Sequence, residues 1–186
     1  MKKILSHFHL RSLKKIISFS IFIAASILII MASYFKQIQP FPQKEKFSSH
    51  NSVEGKALIV DGDSITISSI KIRLVGIDAP ELHQFCGKKD AQYPCGLEAK
   101  KYLEQLLENQ TVTCHWHKTD KYRRILATCQ TKQVRNINAT LVQNGWAVSY
   151  YEYPKEEKEA RRKKKGIWAS SFQRPKEWRK ANPRTE

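Results

Sequence analysis

The chain is 186 residues long and 41% hydrophobic, with 33 Lys and Arg against 17 Asp and Glu, giving a formal net charge of +16. That length holds one domain with a real core plus an appendage, and two domains would be crowded. The charge points to a polyanionic partner, nucleic acid or an anionic membrane surface, between which charge alone does not choose. The cysteines, Cys86, Cys95, Cys114 and Cys129, contain no CxxC pair, which argues against zinc ribbons and redox dithiols.

Residues 1–15 carry Lys2, Lys3, Arg11, Lys14 and Lys15 without an acid, and 16–35 follow without a charge. An apolar run of about 20 residues suits the bilayer core better than a cleavable region of about 7–15. Segment 1–15 is therefore expected to stay cytoplasmic, with 16–35 a transmembrane signal anchor and the remainder extracytoplasmic. Ile30-Met31-Ala32 is a poor cleavage site, so a retained anchor at the cell membrane is favoured over a cleaved signal peptide and a secreted or periplasmic product. Segment 36–52, with Pro40 and Pro42, reads as a linker. A domain over 53–170 and a basic tail over 171–186, either a docking strap or a plain tail, complete the chain.

Within the domain, alternating apolar runs at 57–60, 64–68 and 70–77 predict strands. Asp61-Gly62-Asp63 separates the first two, and Asp78-Ala79-Pro80-Glu81 ends the third. As an antiparallel meander, these strands bring the start of the second and the end of the third to one sheet edge, so Asp63 and Asp78 converge. Pro80 stiffens the turn that aims Glu81 at the same place. Carboxylates so gathered repel one another unless pKa values rise or a cation joins them. An oxygen-only donor set favours a hard ion such as calcium over zinc. Asp61 reads as a turn residue and stays outside this set.

Residues 83–96 form an irregular loop, and 97–108 return to helical spacing with Ala99, Tyr102, Leu103, Leu106 and Leu107 on one face. Strands over 111–117 and 125–129 bring the count to five. Cys114 and Cys129 are equidistant from a turn between Lys121 and Tyr122, so they can be cross-strand neighbours, leaving Cys86 and Cys95 to close the acidic loop; free buried cysteines are the alternative. Asn138 is expected to cap a short helix running to Asn144 and stopped by Gly145, and 155–165 to form a helix stopped by Gly166.

Thr119-Asp120-Lys121-Tyr122-Arg123-Arg124 then adds cations and a ring. Together VDGDS, RLVGIDAPE, TDKYRR and LVQNGWA resemble, in order, the motifs of the staphylococcal nuclease (thermonuclease) family over roughly 53–168. The resemblance selects the fold from what the pattern permits: α+β, mainly β, a five-stranded OB-type Greek-key barrel with about three helices, preceded by the anchor. It implies calcium bound by Asp63, Asp78 and the Ala79 backbone carbonyl. It also implies a catalytic set of Arg73, Glu81 and Arg124, and nucleotide contacts from Lys121, Tyr122 and Tyr151. One departure is Arg123, where the best-known member has glycine.

The expected function is thus calcium-dependent hydrolysis of DNA, with RNA left open, to 3′-phosphate products. Metal-oriented water, Glu81 and two arginines carry it. The partners are nucleic acid and, through the anchor, the membrane, with no protein partner. The rival readings are a non-catalytic OB-type nucleic-acid-binding module at the cell envelope and a structural envelope protein.

Overall fold

The computed structural model describes residues 51–183. The cytoplasmic segment, the anchor and almost all of the linker lie outside the described residues, as do 184–186 of the tail. Among the described residues no helix is long and apolar enough to cross a membrane.

The predicted meander is present as β2 (Leu58–Ile59), β3 (Ser64–Ile67) and β4 (Ile70–Leu74), paired antiparallel in sequence order. Before it comes β1 (Ser52–Gly55), and after it β6 (Val112–Thr119) and β7 (Ile125–Gln130). The strands form one six-stranded sheet in the order β1-β6-β7-β4-β3-β2, with the β4–β7 pair parallel. The expected count of five omitted β1, whose Ser-Val-Glu-Gly sequence has too little apolar alternation to announce a strand. It forms because β6 offers an open edge, pairing Ser52 with His115 and Gly55 with Val112.

Although β1 and β3 are separated by three strands in the sheet order, a Cβ on Gly55 would lie 2.8 Å from Ile67 Cγ2. The sheet is therefore curled into a half-barrel, and glycine permits the close approach.

The third apolar run does not stay in one sheet. The chain turns at Gly76, whose φ is +77°, and Ile77–Asp78 becomes β5, paired with β8 (Val148–Ser149). Asn138 holds this break: its Nδ2 donates to the carbonyls of Val75 (2.9 Å) and Ala127 (3.0 Å), and its Oδ1 accepts from Cys129 N at 3.2 Å. Asn138 is therefore a buried clamp rather than a cap. The capping residue is Asn136, whose side chain accepts from Ala139 N at the start of α2 (Ile137–Gln143).

The predicted first helix is α1 (Cys95–Leu107) and the later one is α3 (Pro154–Arg162). Gly166 opens a 3-10 turn, Gly166–Ala169, rather than ending α3. The tail carries α4 (Pro175–Ala181), so the described residues hold four α-helices where about three were expected.

One core fills the curl. Ile65 and Ile67 of β3, Ile72 and Leu74 of β4, and Ile125 and Ala127 of β7 meet Leu103 of α1 and Leu141 of α2. Each fully buried aliphatic side chain contributes about 1.5–3 kcal/mol, which makes this the main stabilising term. Cys114 and Cys129 are directly opposed in the β6–β7 register and form a disulfide, as do Cys86 and Cys95. Both anticipated pairings are present.

The β3–β4 hairpin closes through Ser68 and Ser69, both at positive φ (47° and 71°), the geometry that favours Asn-Gly. Replacing them with Asn and Gly is expected to raise unfolding free energy by about 1 kcal/mol. Denaturant unfolding of the double variant checks this, and an unchanged or lowered midpoint would refute it.

Candidate nuclease active site

The acidic turns meet at the junction of the two sheets. Asp61 Oδ1 accepts from the Asp63 amide at 3.0 Å, a local turn bond that leaves the Asp63 carboxylate pointing elsewhere. Leu74 N donates to Asp63 O at 2.9 Å, joining this turn to the end of β4. Asp63 Oδ2 accepts from Ala79 N at 2.7 Å, which draws the Asp78-Ala79 turn against it. Asp63 and Asp78 are both buried, at 3% and 2% exposure, so their charge must be met inside the protein.

Arg73 meets it. Its position on β4 is opposite Ser64 of β3, which points its side chain along the same face as the Asp63 turn. One guanidinium nitrogen pairs with Asp63 Oδ1, and Nη2 donates to Asp78 Oδ1 at 3.0 Å and to Ile77 O at 3.4 Å. Burial lowers the Arg73 pKa, opposed by the attraction of Asp78 and Asp61 and reinforced by the nearby charge of Arg124.

Glu81 is joined to Asp78 through a shared guanidinium. Among the described residues no three His, Cys, Asp or Glu side chains are grouped so as to hold a metal ion by themselves. Guanidinium groups are interleaved instead. Arg179 of α4 donates from Nη1 to Asp78 Oδ1 (2.9 Å) and Glu81 Oε1 (2.8 Å), and from Nη2 to Asp78 Oδ2 (3.1 Å). The Glu81 backbone is fixed by its carbonyl, which accepts from Gln84 N at 2.7 Å, and by α1 packing closely enough that a Cβ on Gly96 would lie 1.8 Å from Glu81 O.

Arg124 enters from the other side, just before β7. Its Nη1 is 3.5 Å from Ser64 Oγ, which in turn donates to Asp63 Oδ1 at 3.2 Å. Asp120 sets this arginine: its carboxylate accepts from Tyr122 N (2.8 Å), Arg124 N (3.0 Å) and Arg124 Nε (2.8 Å). Burial pushes the Asp120 pKa up, but the bonds from Arg124 and Tyr122 outweigh it and hold the carboxyl below its ordinary value. Arg123 sits in the same turn at φ +63°, the left-handed region that glycine would occupy without strain.

Lys121 and Arg124 flank the exposed Tyr122 ring, at 5.0 and 5.7 Å from its centroid. Beside Asp78, Tyr150 and Tyr151 lie edge to face at 4.6 Å and line a cleft of about 220 Å³ with Asp78, Arg174 and Lys176. Aromatic rings and basic side chains near a buried acidic pair suit a phosphate-bearing chain with planar bases.

Comparison with known proteins decides the kinship. A family model described as "Staphylococcal nuclease homologue" matches residues 71–170, more than half of the chain. The chain belongs to the staphylococcal nuclease homologue family.

Within this family, a protein named micrococcal nuclease from Shigella flexneri is 34% identical over 145 residues, 67% of this chain and 78% of that protein. The succinoglycan biosynthesis protein ExoI of Rhizobium meliloti is 34% identical over 96 residues, half of each chain. Endonuclease YhcR of Bacillus subtilis is 34% identical over 132 residues, 59% of this chain and 11% of its own length. The chain thus spans half or less of the last two relatives. Asp63 precedes the span matched by the family model, whereas Arg73, Asp78, Glu81 and Arg124 fall inside it.

Of the predicted residues, Asp63, Asp78, Ala79, Arg73 and Glu81 come together, with Arg124 reaching the group through Ser64. Lys121, Tyr122 and Tyr151 are placed near it. Sequence reasoning missed Asp120 and Arg179. The Thr-Asp-Lys-Tyr turn pattern carries a signal for Asp120; Arg179, 101 residues from Asp78, has none.

Asp120→Ala is expected to cost about 1 kcal/mol at neutral pH by removing a charged acceptor that solvent partly screens. Because the folded pKa is depressed, that contribution is present above the unfolded pKa and disappears as pH falls through the folded value. Unfolding curves of both proteins from neutral pH to below pH ~3 check the convergence; a gap independent of pH would contradict it.

Proposed function

We propose that this protein is a calcium-dependent nuclease that hydrolyses phosphodiester bonds of DNA, with RNA a candidate second substrate. The observation that carries the reading is the buried Asp63–Arg73–Asp78 group with Glu81 and Arg124 at its edge. The donor chemistry fits a hard cation. Two buried carboxylates and the Ala79 carbonyl form an oxygen-only set that calcium, which accepts backbone carbonyls and water, can complete. When bound, such an ion supplies Lewis-acid polarisation of the phosphoryl group and a more acidic water.

The remaining chemistry belongs to side chains. We assign to Glu81 the orientation and deprotonation of the attacking water. Arg124, whose Nε is fixed on Asp120, presents its terminal nitrogens to the phosphoryl oxygens as negative charge builds there. Arg73 holds Asp63 and Asp78 at their spacing and adds positive charge on the phosphate side. Water attacks phosphorus as Glu81 takes its proton, the bond to the 5′ oxygen breaks, and that oxygen takes a proton from solvent, leaving the phosphate on the 3′ side. Lys121, Tyr122 and Tyr151 hold the flanking nucleotide by charge and stacking.

The names of the relatives support the activity, and the anchor reading supports placement at the cell membrane with the domain outside. A binding module has no use for buried carboxylates that repel its ligand, which weighs against the non-catalytic alternative.

The full chain is expected to cut single- or double-stranded DNA with calcium and to stop in chelator. Glu81→Gln and Arg124→Ala should each lower kcat by roughly two orders of magnitude. Gel assays on folded variants measure this. DNA binding without cleavage in calcium would move the protein to the binding-module reading.

A further inference from the structure

Asp78 accepts two guanidinium groups, and they differ in kind. Arg73 comes from the central strand β4 and its side chain is 19% exposed, whereas Arg179 comes from α4 and is 41% exposed. The Arg179 fork covers both Asp78 oxygens and also reaches Glu81, so a single cationic group spans one of the carboxylates expected to hold the metal and the expected general base. Burial lowers the Arg179 pKa, but the bonds to Asp78 and Glu81 more than reverse this, so the group remains charged.

The element that carries Arg179 is weakly held. Helix α4 has seven residues, far short of the length at which a helix is stable alone, and of these Pro175 is the buried one. Its approach is fixed upstream, where Gln84 Nε2 donates to Gln173 O at 2.6 Å and Gly87 N to Ser171 O at 2.7 Å. Beyond Pro175 the helix is held by a half-buried Trp178, by Lys176 over the Tyr150 ring at 5.9 Å, and by the Arg179 fork, which alone of these joins it to the acidic centre.

A divalent ion seeking Asp78 meets this guanidinium on the same oxygens. Two cationic groups at one carboxylate repel each other, and the partner on a short surface helix yields more readily than the one on a central strand. We propose that Arg179 is a positioning residue of the active site, tying Asp78 and Glu81 together in competition with the divalent cation, so that metal binding releases α4. This rests on the metal-dependent reading above. It assigns the C-terminal helix a task within the site, and it makes metal affinity depend on a residue outside the span matched by the family.

The test uses the full chain, calcium alone, and two readouts that do not involve catalysis. Calorimetry should give Arg179→Ala a calcium dissociation constant at least fivefold below wild type, with Arg179→Lys, which keeps the charge, closer to wild type. Amide exchange over 176–181 should be slow in chelator for wild type and at least tenfold faster for Arg179→Ala. Calcium should accelerate it in wild type. Equal or weaker calcium binding by Arg179→Ala, or α4 exchange indifferent to calcium, would overturn the proposal. If neither protein binds calcium, the metal reading falls and the competition with it. Normal calcium binding with no effect of Arg179 removes the competition alone.

Discussion

The Arg73 guanidinium lying between Asp63 and Asp78 is the constraint on which the rest depends. Two carboxylates at 3% and 2% exposure are stable in a fold only when a cation or a set of donors meets them. Arg73 does so from β4, the strand that pairs β3 on one side and β7 on the other. The same residue therefore links the meander that carries Asp63, the sheet switch that delivers Asp78, and the strand that follows Arg124. An apolar replacement of the whole group would be expected to fold at least as well. Its retention makes sense as a binding site for charge rather than as a device for stability.

The sheet switch at Gly76 explains how the pair comes together. Had the run from Ile70 to Ile77 continued straight, Asp78 would have stayed in register with the large sheet. Instead Asn138 occupies the carbonyls of Val75 and Ala127, and β5 leaves to pair with β8. That pairing brings Tyr150 and Tyr151 beside Asp78, since Tyr150 N donates to Gly76 O at 2.8 Å. A buried amide in α2 thus sets the distance between the acidic centre and these two rings.

Much of this was legible in the sequence where local chemistry and spacing decide structure. The meander followed from alternation in Ile65, Ile67, Ile72 and Leu74, and the Cys114–Cys129 bridge from symmetry about a hairpin turn. What escaped was set by tertiary contact. β1 exists because β6 has an edge to complete. Asn138 reads as a cap because caps favour Asn, but its amide satisfies strand carbonyls that no local pattern exposes. Arg179 sits in a basic tail whose many charges conceal the one that folds back onto Asp78. Arg123 lies between these cases: its sequence departure was visible, and its positive φ shows that the turn takes a left-handed conformation with arginine in place. Asp120 holds that turn through both flanking amides, which offsets the backbone cost.

The most direct measurement is the unfolding free energy of Arg73→Met in the full chain, in chelator, beside wild type and Arg73→Lys. Leaving Asp63 and Asp78 buried without their shared partner should cost about 3–5 kcal/mol, with lysine recovering part of it. A loss below about 0.5 kcal/mol, the range of an ordinary surface substitution, would contradict the claim that this guanidinium holds the fold and the site together.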